Sequence, residues 1–304
     1  MFQPLVSIII PNYNYGRFLA QAIDSALAQT YENREIIVAD DGSTDESDQI
    51  IKSYGAAIRS FKQKNRGVSA VRNRAFSEAR GELIAYLDSD DVWLPEKLEK
   101  QVRLFEDAEI GLVHCGCADF DNTGKIVAEH LNGLEGWVAE DLLRYQRPVI
   151  LGGGSAVVVR RAAIERAGGF DEKLKIGEDW EFYYRVARLY KVGFVPEILL
   201  KYRRHGSNHH ANVKRMAIDL IYAYDKIFAA GGDEIKHLKA ACYGRIHTII
   251  AGSSFRAGNY FDFVSHGAKG LWLAPDNFGQ FLGFPARFVR RKLLASRSEI
   301  VINR

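Results

Sequence analysis

Three aspartates within four residues are the clearest chemical feature of this sequence. Asp88, Asp90 and Asp91 directly follow the apolar run Leu83–Leu87. Carboxylates so close together repel one another unless a cation lies among them. Oxygen ligands without a nearby thiolate favour Mg²⁺ or Mn²⁺ over zinc, and Mg²⁺ usually binds one or two carboxylates together with substrate phosphates. The cluster therefore predicts a divalent metal that holds a diphosphate.

A second acidic pair, Glu178 and Asp179, opens a segment with helical spacing. A helix dipole favours the ionised form of a carboxylate in the first turn. An ionised carboxylate within hydrogen-bond reach of a hydroxyl can act as a general base. The same pair is also typical of an ordinary helix N-terminus, so its chemistry depends on what lies near it.

The elements that must position these acids alternate between strand and helix. Polar turns follow four predicted strands: Pro11-Asn12-Tyr13-Asn14 after Leu5–Ile10, Asp40-Asp41-Gly42 after Glu35–Ala39, Asn65-Arg66-Gly67 after Ile58–Lys62, and Asp88-Ser89-Asp90-Asp91 after Leu83–Leu87. Each turn alone is typical of an Asx turn or a helix cap. Strand–helix alternation with short turns predicts an α/β fold with a mostly parallel sheet covered by helices. Ligands bind outside the carboxyl ends of such strands, which places all four turns at one edge.

Together these motifs resemble those of family 2 glycosyltransferases of the GT-A fold. The matching segments are the four turns above, Arg72-Asn73, Gly168-Gly169-Phe170-Asp171 and Gly177-Glu178-Asp179-Trp180, and they extend over about residues 4–207. The resemblance implies a GT-A-type, Rossmann-like and mostly parallel sheet flanked by helices. It also implies an enzyme that uses a nucleotide-sugar and a divalent metal, Mn²⁺ or Mg²⁺.

The resemblance implies roles for individual residues. The residues expected to bind the nucleotide-sugar are Pro11, Tyr13, Asn14, Asp41, Asn65, Arg72, Asp88 and Ser89. Asp90 is the expected metal ligand, and Asp91 is expected to share that work. Asp179 corresponds to the catalytic base, with Glu178 beside it on the acceptor side.

Three further features are consistent with ligand contacts at the same site, but each is also consistent with a purely structural role. Gly153 and Gly154 let the backbone approach a ligand closely, as the floor of an acceptor site or as a plain connection. Trp180 is expected either to stack on an acceptor sugar or to pack in the core. In the resembled enzymes a basic segment closes over the diphosphate. Here Arg203 and Arg204 suit phosphate oxygens and His205 suits the metal, unless the segment is a solvated loop.

The predicted function is metal-dependent, inverting transfer of a sugar from a nucleotide-diphosphate donor to a hydroxyl of a glycan or lipid-linked acceptor. Bacterial surface polysaccharide biosynthesis is the expected setting. One alternative is a sugar-nucleotide nucleotidyltransferase, but Pro11-Asn12-Tyr13-Asn14 does not resemble the Gly-rich turn of that class. Another is a non-catalytic protein that binds nucleotide-sugar, against which the presence of both Asp90 and Asp179 argues.

Composition excludes several other classes. The 304 residues include 41 Lys and Arg against 38 Asp and Glu, a balance too even to predict a nucleic-acid partner. Three cysteines are too few for a disulfide framework and suit a reducing compartment. The apolar N-terminal run lacks a basic region before it, and no run approaches the ~18 apolar residues of a membrane span. The expected location is the cytoplasm.

The C-terminal part has a different pattern. The alternation ends near residue 211, which predicts a catalytic domain over residues 1–210, with a nucleotide-sugar-binding half (1–110) and an acceptor-side half (111–210), and a helical region over 211–304. Helical spacing recurs over Met216–Ala229, Ile235–Phe255 and Tyr260–Trp272. The basic amphipathic segment Gly279–Arg297 predicts either peripheral contact with the cytoplasmic membrane face or a helix docked on the catalytic domain.

Overall fold

The computed structural model of the chain describes residues 2–205, 213–275 and 283. These residues divide into two compact units: the first holds residues 2–143 and 147–205, and the second holds residues 144–146, 213–275 and 283. The predicted domain boundary at residue 210 lies outside the described residues, as does all of the predicted tail helix Gly279–Arg297 except Gly283.

Within the described residues, nine strands form one mixed sheet. The strands are β1 (Val6–Asn12), β2 (Arg34–Asp40), β3 (Arg59–Lys62), β4 (Leu83–Tyr86), β5 (Val92–Trp93), β6 (Ile110–Phe120), β7 (Ile126–His130), β8 (Val158–Arg160) and β9 (Lys191–Arg203). Their order is β3-β2-β1-β4-β8-β6-β9-β5, with β7 paired to β6. The strands β3, β2, β1 and β4 run parallel, as predicted. β8 lies antiparallel between β4 and β6, whereas β6 and β9 are again parallel. The predicted α/β fold class is confirmed.

Helices connect these strands and continue beyond them. They are α1 (Gly16–Leu27), α2 (Ser47–Ser53), α3 (Val68–Glu78), α4 (Lys97–Leu104), α5 (Ala139–Arg144), α6 (Arg161–Ala167), α7 (Glu178–Ala187), α8 (Val213–Ala230), α9 (Asp233–Lys236), α10 (Lys239–Arg256) and α11 (Tyr260–Leu273). The predicted C-terminal helices correspond to α8, to α9 together with α10, and to α11.

The first strand and the first helix form where the sequence places apolar residues that the fold buries. Every residue of β1 is buried, as expected for a central parallel strand that is covered on both faces. α1 buries Leu19, Ile23 and Ala26, which recur on one side of the helix. The apolar part of β1 ends at Ile10, and this fixes where the polar turn of the site begins.

The longest of the described strands is β9, which has 13 residues and contains a bulge. Opposite β6 the pairing passes from Val195 directly to Ile198, so that Pro196 and Glu197 form a bulge. A proline cannot donate to the hydrogen-bond ladder of a sheet but is tolerated at a bulge. The bulge therefore lets one strand continue through Pro196.

A lysine is fully buried in the core of the first unit. Lys97 has no exposed surface, and its Nζ donates to Oε1 of Gln101 at 2.7 Å. The same nitrogen lies 4.0 Å from the centre of the Trp93 ring. Burial lowers the pKa of Lys97 to about 8, because the charged form loses its hydration.

The buried lysine predicts a rise in stability with pH. Between about pH 8 and pH 10.5 the unfolded chain binds a proton that the folded chain has released, so the free energy of unfolding should rise by up to about 1.4 kcal/mol per pH unit. Lys97→Met should remove this contribution. Urea unfolding of both proteins near pH 8 and near pH 10 measures it, and identical pH dependence in the two proteins would contradict the prediction.

In the second unit, two glycines allow α10 and α11 to approach closely. A Cβ atom on Gly270 would lie 2.9 Å from Oγ1 of Thr248 and 3.1 Å from the carbonyl oxygen of Gly244. A larger residue at this crossing would force the helices apart. Over residues 2–205 and 213–275, the chain contains no helix with both the length and the apolar character needed to traverse a bilayer.

Candidate active site

Hydrogen bonds join the carboxyl ends of neighbouring strands at one edge of the sheet. The backbone N–H of Asp41, after β2, donates to the carbonyl oxygen of Asn12 at 2.8 Å. The hydroxyl of Ser89, after β4, donates to the carbonyl oxygen of Pro11 at 2.5 Å. The structure therefore brings these predicted site residues to the same edge.

Asp41 holds the loop that follows β3. Its buried carboxylate accepts hydrogen bonds from Nε2 of Gln63 at 2.7 Å, from N–H of Arg66 at 3.0 Å and from N–H of Gly67 at 2.7 Å. Asn65 lies in the same loop. Asp41 thus shapes this part of the edge through the loop, and its direct contact with a nucleotide stays a prediction.

The turn after β1 is fixed by side chains from the turn after β2. Asn14 has a φ of 57°, in the left-handed region, and its N–H donates to Oγ of Ser43 at 2.9 Å. Its Oδ1 accepts from the N–H of Thr44 at 2.8 Å. This turn leaves the Tyr13 ring 45% exposed, as a flat surface on which a planar ligand can stack.

The acids at positions 90 and 91 have different surroundings. Asp91 is buried, and it accepts from the hydroxyl of Ser155 at 2.6 Å and from the N–H of Arg203 at 2.9 Å. Asp90 is half-buried, and its Oδ2 lies 2.8 Å from Nε2 of His205. Protein groups therefore engage both oxygens of Asp91, whereas Asp90 faces an imidazole, itself a common metal ligand.

A buried arginine links the acidic loop to the beginning of α7. Nη2 of Arg72 donates to Oδ1 of Asp88 at 2.7 Å, and Nη1 donates to Oε1 of Glu178 at 3.1 Å. The guanidinium carbon lies 5.2 Å from the centre of the Phe170 ring and 5.9 Å from that of Tyr86. Both ion pairs are largely shielded from water, so the arginine fixes the distance between the two acidic segments.

Of the two acids at the start of α7, Glu178 is paired with Arg72, whereas Asp179 is partly exposed to solvent. Burial and the charge of Asp179 raise the pKa of Glu178 to about 7, although Arg72 opposes this shift. Asp179 is half-buried, and a Cβ atom on Gly153 would lie 3.6 Å from its Oδ2. The hydroxyl of Tyr183 donates to the carbonyl oxygen of Gly153 at 3.2 Å. The glycine loop therefore runs directly past the predicted base.

The same loop also runs past the acidic cluster. A Cβ atom on Gly154 would lie 2.9 Å from Nη2 of Arg72 and 3.4 Å from Oδ2 of Asp88. Gly153 has a φ of 55°, which L side chains rarely adopt. The loop therefore lies between the two acidic segments because its glycines lack side chains.

Arg203 is engaged within the protein. Its Nε donates to the carbonyl oxygen of Asp90 at 2.7 Å, and its guanidinium carbon lies 4.5 Å and 4.4 Å from the ring centres of Phe18 and Phe120. The side chain is almost fully buried. These contacts favour a positioning role for Arg203 over the predicted contact with a diphosphate.

Two other predicted residues also have partners. Arg204 donates through Nε and Nη2 to Oδ2 of Asp119, at 2.9 Å and 2.7 Å. Trp180 is buried, and its Nε1 donates to the carbonyl oxygen of Leu142 at 2.9 Å. Of the two interpretations that the sequence left open for Trp180, the geometry favours core packing.

The donor atoms of Asp90 and His205 suit an open metal site. Among the described residues, no group of three or more His, Cys, Asp or Glu side chains is arranged to hold a metal ion. Burial and the negative charge of Asp88 raise the pKa of Asp90, and a cation would relieve that repulsion. Mg²⁺ and Mn²⁺ accept a few protein oxygens or nitrogens together with phosphates, so Asp90 and His205 fit such an ion.

Ser155 and Tyr183 lie at the site, although no motif in the sequence predicted either of them. Ser155 is fully buried, accepts from the N–H of Asp88 at 3.0 Å and donates to Asp91. Its position directly after three glycines was the available signal in the sequence. Tyr183 lies one helical turn after Asp179, a spacing that does not by itself distinguish it from core residues.

Known proteins similar in sequence to this chain are glycosyltransferases. The family described as "Glycosyl transferase family 2" matches residues 7–168. A protein named as an uncharacterized glycosyltransferase from Rickettsia typhi is 32% identical over 232 residues, which cover 75% of this chain and 71% of that protein.

Two solved structures show the fold. The mannosyltransferase PcManGT from Pyrobaculum calidifontis, in complex with GDP-Man and Mn²⁺, superposes with a TM-score of 0.63 at 20% identity and covers 95% of this chain and 83% of that one. S. aureus TarS 1–349, in complex with UDP-GlcNAc, gives a TM-score of 0.59 at 15% identity and covers 88% and 91%. The fold is that of the GT-A glycosyltransferases. The chain belongs to glycosyl transferase family 2 and is a glycosyltransferase.

Proposed function

We propose that this glycosyltransferase moves a sugar from a nucleotide-diphosphate donor to a hydroxyl of a glycan or lipid-linked acceptor, with a divalent metal and with inversion. One observation carries the proposal: the buried guanidinium of Arg72 joins Asp88 to Glu178, the neighbour of Asp179, through two ion pairs. A loop suited to a metal-bound diphosphate and a carboxylate suited to a general base therefore lie on either side of one guanidinium.

A nucleotide-sugar donor suits the edge formed by the strand ends. The exposed ring of Tyr13 would stack on a base, with the turn residues Pro11 and Asn14 beside it. Asn65, in the loop held by Asp41, would contact the same ligand. The bound GDP-Man and UDP-GlcNAc of the two structural neighbours support this class of donor for the present chain.

Asp90 and His205 would hold the divalent metal. When bound, Mn²⁺ or Mg²⁺ would stabilise the negative charge that develops on the departing diphosphate. Asp91 keeps its hydrogen bonds to Ser155 and Arg203 and thereby holds the loop rather than the ion. The Mn²⁺ bound by the mannosyltransferase neighbour supports a divalent metal for the present chain.

Asp179 would remove the proton from the acceptor hydroxyl. Glu178 is shielded and paired with Arg72, so Asp179 is the acid of the pair that an acceptor can reach. A single base opposite the leaving group favours one in-line displacement, which inverts the anomeric centre. Gly153 and Gly154 would form the floor on which the acceptor lies, because they add no side chains there.

We further propose the setting of this reaction. The nucleotide-sugar-binding half spans residues 1–110, the acceptor-side half 111–210 and the helical region 211–304. A lipid-linked acceptor in surface polysaccharide biosynthesis would bring the protein to the cytoplasmic face of the membrane. The excess of basic residues near the C-terminus supports this location.

Turnover of individual nucleotide-sugars with Mn²⁺ tests the proposed function. Slow release of a nucleoside diphosphate is the expected result, because water can replace the acceptor. Formation of a nucleoside triphosphate and a sugar 1-phosphate after addition of pyrophosphate would instead indicate a nucleotidyltransferase, and tight binding of a donor without turnover, even with acceptor glycans, would indicate a binding protein. Removal of the metal with a chelator should abolish the release of diphosphate.

Ser155→Ala should lower kcat/KM by about 10- to 100-fold, since partners that orient metal-binding groups usually contribute that much. The hydroxyl ties the backbone of Asp88 to the carboxylate of Asp91, and its loss frees the loop that carries Asp90. Ser155→Thr should restore much of the activity, and Ser53→Ala, at an exposed serine of α2, should have no effect. An active Ser155→Ala protein with unchanged affinity for Mn²⁺ would contradict this role.

A further inference from the structure

One side of α11 presents large apolar side chains to water. Phe261 is 82% exposed, Val264 is 61% exposed and Trp272 is 86% exposed. With Ala268 they recur at intervals of three or four residues, which places them on one face of the helix. Tyr260 adjoins this face and is 63% exposed. We call these five residues the α11 face.

The fold of the second unit does not require the α11 face to be apolar. The opposite side of α11 packs on α10 through the buried Gly270, and Gly267 is buried as well. Single exposed apolar residues are common on proteins, but a row of two aromatic rings and a valine along one helix marks a surface that something covers. The chemistry around the helix indicates what that is.

The charge of the chain is concentrated just after this helix. Residues 276–304 contain six of the 41 basic residues and two of the 38 acidic ones, so they carry a formal charge of +4 while the rest of the chain carries −1. On α11 itself, the one basic residue, Lys269, is exposed. The one acidic residue, Asp262, accepts from the side-chain amide of Asn259 at the start of the helix.

We propose that the α11 face docks on an anionic lipid surface. Tryptophan, tyrosine and phenylalanine are the side chains that enter the interface of a bilayer most readily, and basic residues add attraction to anionic headgroups. A second copy of the chain is a poorer occupant, because two copies that each carry a net charge of +3 repel one another. The proposed lipid-linked acceptor gives the contact a use, but the contact does not depend on transferase chemistry.

Vesicle binding by the full chain tests the proposal. Wild-type protein should bind vesicles of phosphatidylcholine and phosphatidylglycerol and bind pure phosphatidylcholine weakly. The double variant Phe261→Ser with Trp272→Ser should bind the mixed vesicles at least about tenfold less tightly, because two interfacial side chains are lost without a change in charge. Ile218→Ser, at a 62% exposed position of α8, should bind as the wild type does.

Measurements in the absence of vesicles show whether the chain itself or a second copy of the chain covers the α11 face. In the supported case, the double variant keeps the wild-type melting temperature, remains monomeric and releases nucleoside diphosphate in solution at the wild-type rate. Unchanged vesicle binding by the double variant would overturn the proposal. A lower melting temperature with unchanged vesicle binding would mean that the chain itself covers the face, and conversion of a wild-type dimer to a monomer would mean that a second copy does. Loss of vesicle binding with intact turnover also shows that this proposal and the proposed function stand or fall separately.

Discussion

Asp179→Asn should lower the rate of sugar transfer by about a thousandfold, the usual contribution of a positioned general base. Asparagine keeps the shape of the side chain and can still accept the N–H of Trp180, which lies 2.7 Å from Oδ1 of Asp179. It cannot take a proton from the acceptor hydroxyl. The loss should therefore appear in kcat, while the affinity for donor nucleotide and for Mn²⁺ stays at the wild-type value.

Steady-state kinetics and calorimetry together check this result. Asp48→Asn is the matched control, because Asp48 is an exposed acid in the first turn of α2 and should tolerate the same change. Glu178→Gln should behave differently from Asp179→Asn, since it breaks a buried ion pair with Arg72 and should also lower stability. Near-normal turnover by Asp179→Asn would show that another group takes the proton.

Asp90→Asn should lower the affinity for a nucleoside diphosphate in the presence of Mn²⁺ by about a hundredfold. A metal that bridges protein and phosphates supplies several kcal/mol of charge stabilisation, and the carboxylate at position 90 is its expected anionic ligand. The amide can still contact His205, so the local structure should persist. Affinity measured with a chelator should be equally low in the variant and in the wild type.

The control for this variant is Asp121→Asn. Asp121 is a turn acid in the hairpin between β6 and β7, and its carboxylate accepts from Thr123 and Lys125, outside the proposed site. It should change neither the affinity nor its dependence on Mn²⁺. An Asp90→Asn protein whose diphosphate binding still responds fully to Mn²⁺ would place the metal on other ligands.

The first half of the fold was predictable because local patterns agree with the tertiary structure there. The run Leu5–Ile10 is apolar at nearly every position, as a strand covered on both faces must be, and it became the central strand β1. In the second half the local signal weakens. β5 is a two-residue strand, and Pro196 interrupts β9, so neither has the pattern of an ordinary strand.

The residue types of the site were predictable, but their partners were not. Arg72 and Glu178 are 106 residues apart, and nothing in either segment indicates that they form an ion pair. Asp90 and Asp91 are adjacent in sequence and indistinguishable by type, yet only Asp91 is held by Ser155 and a backbone N–H. Such distinctions arise from long-range packing, which fixes each carboxylate against a different neighbour.

A crystal structure of the protein with Mn²⁺ and a nucleoside diphosphate, UDP or GDP, tests the central claim most directly. The predicted result is a manganese ion bonded to Asp90 and His205 and to oxygens of the diphosphate, with the base near Tyr13 and with Asp179 facing the free end of the diphosphate. A manganese ion or a diphosphate bound away from the loop at residues 88–91, or an Asp179 carboxylate turned away from the bound nucleotide, would contradict it.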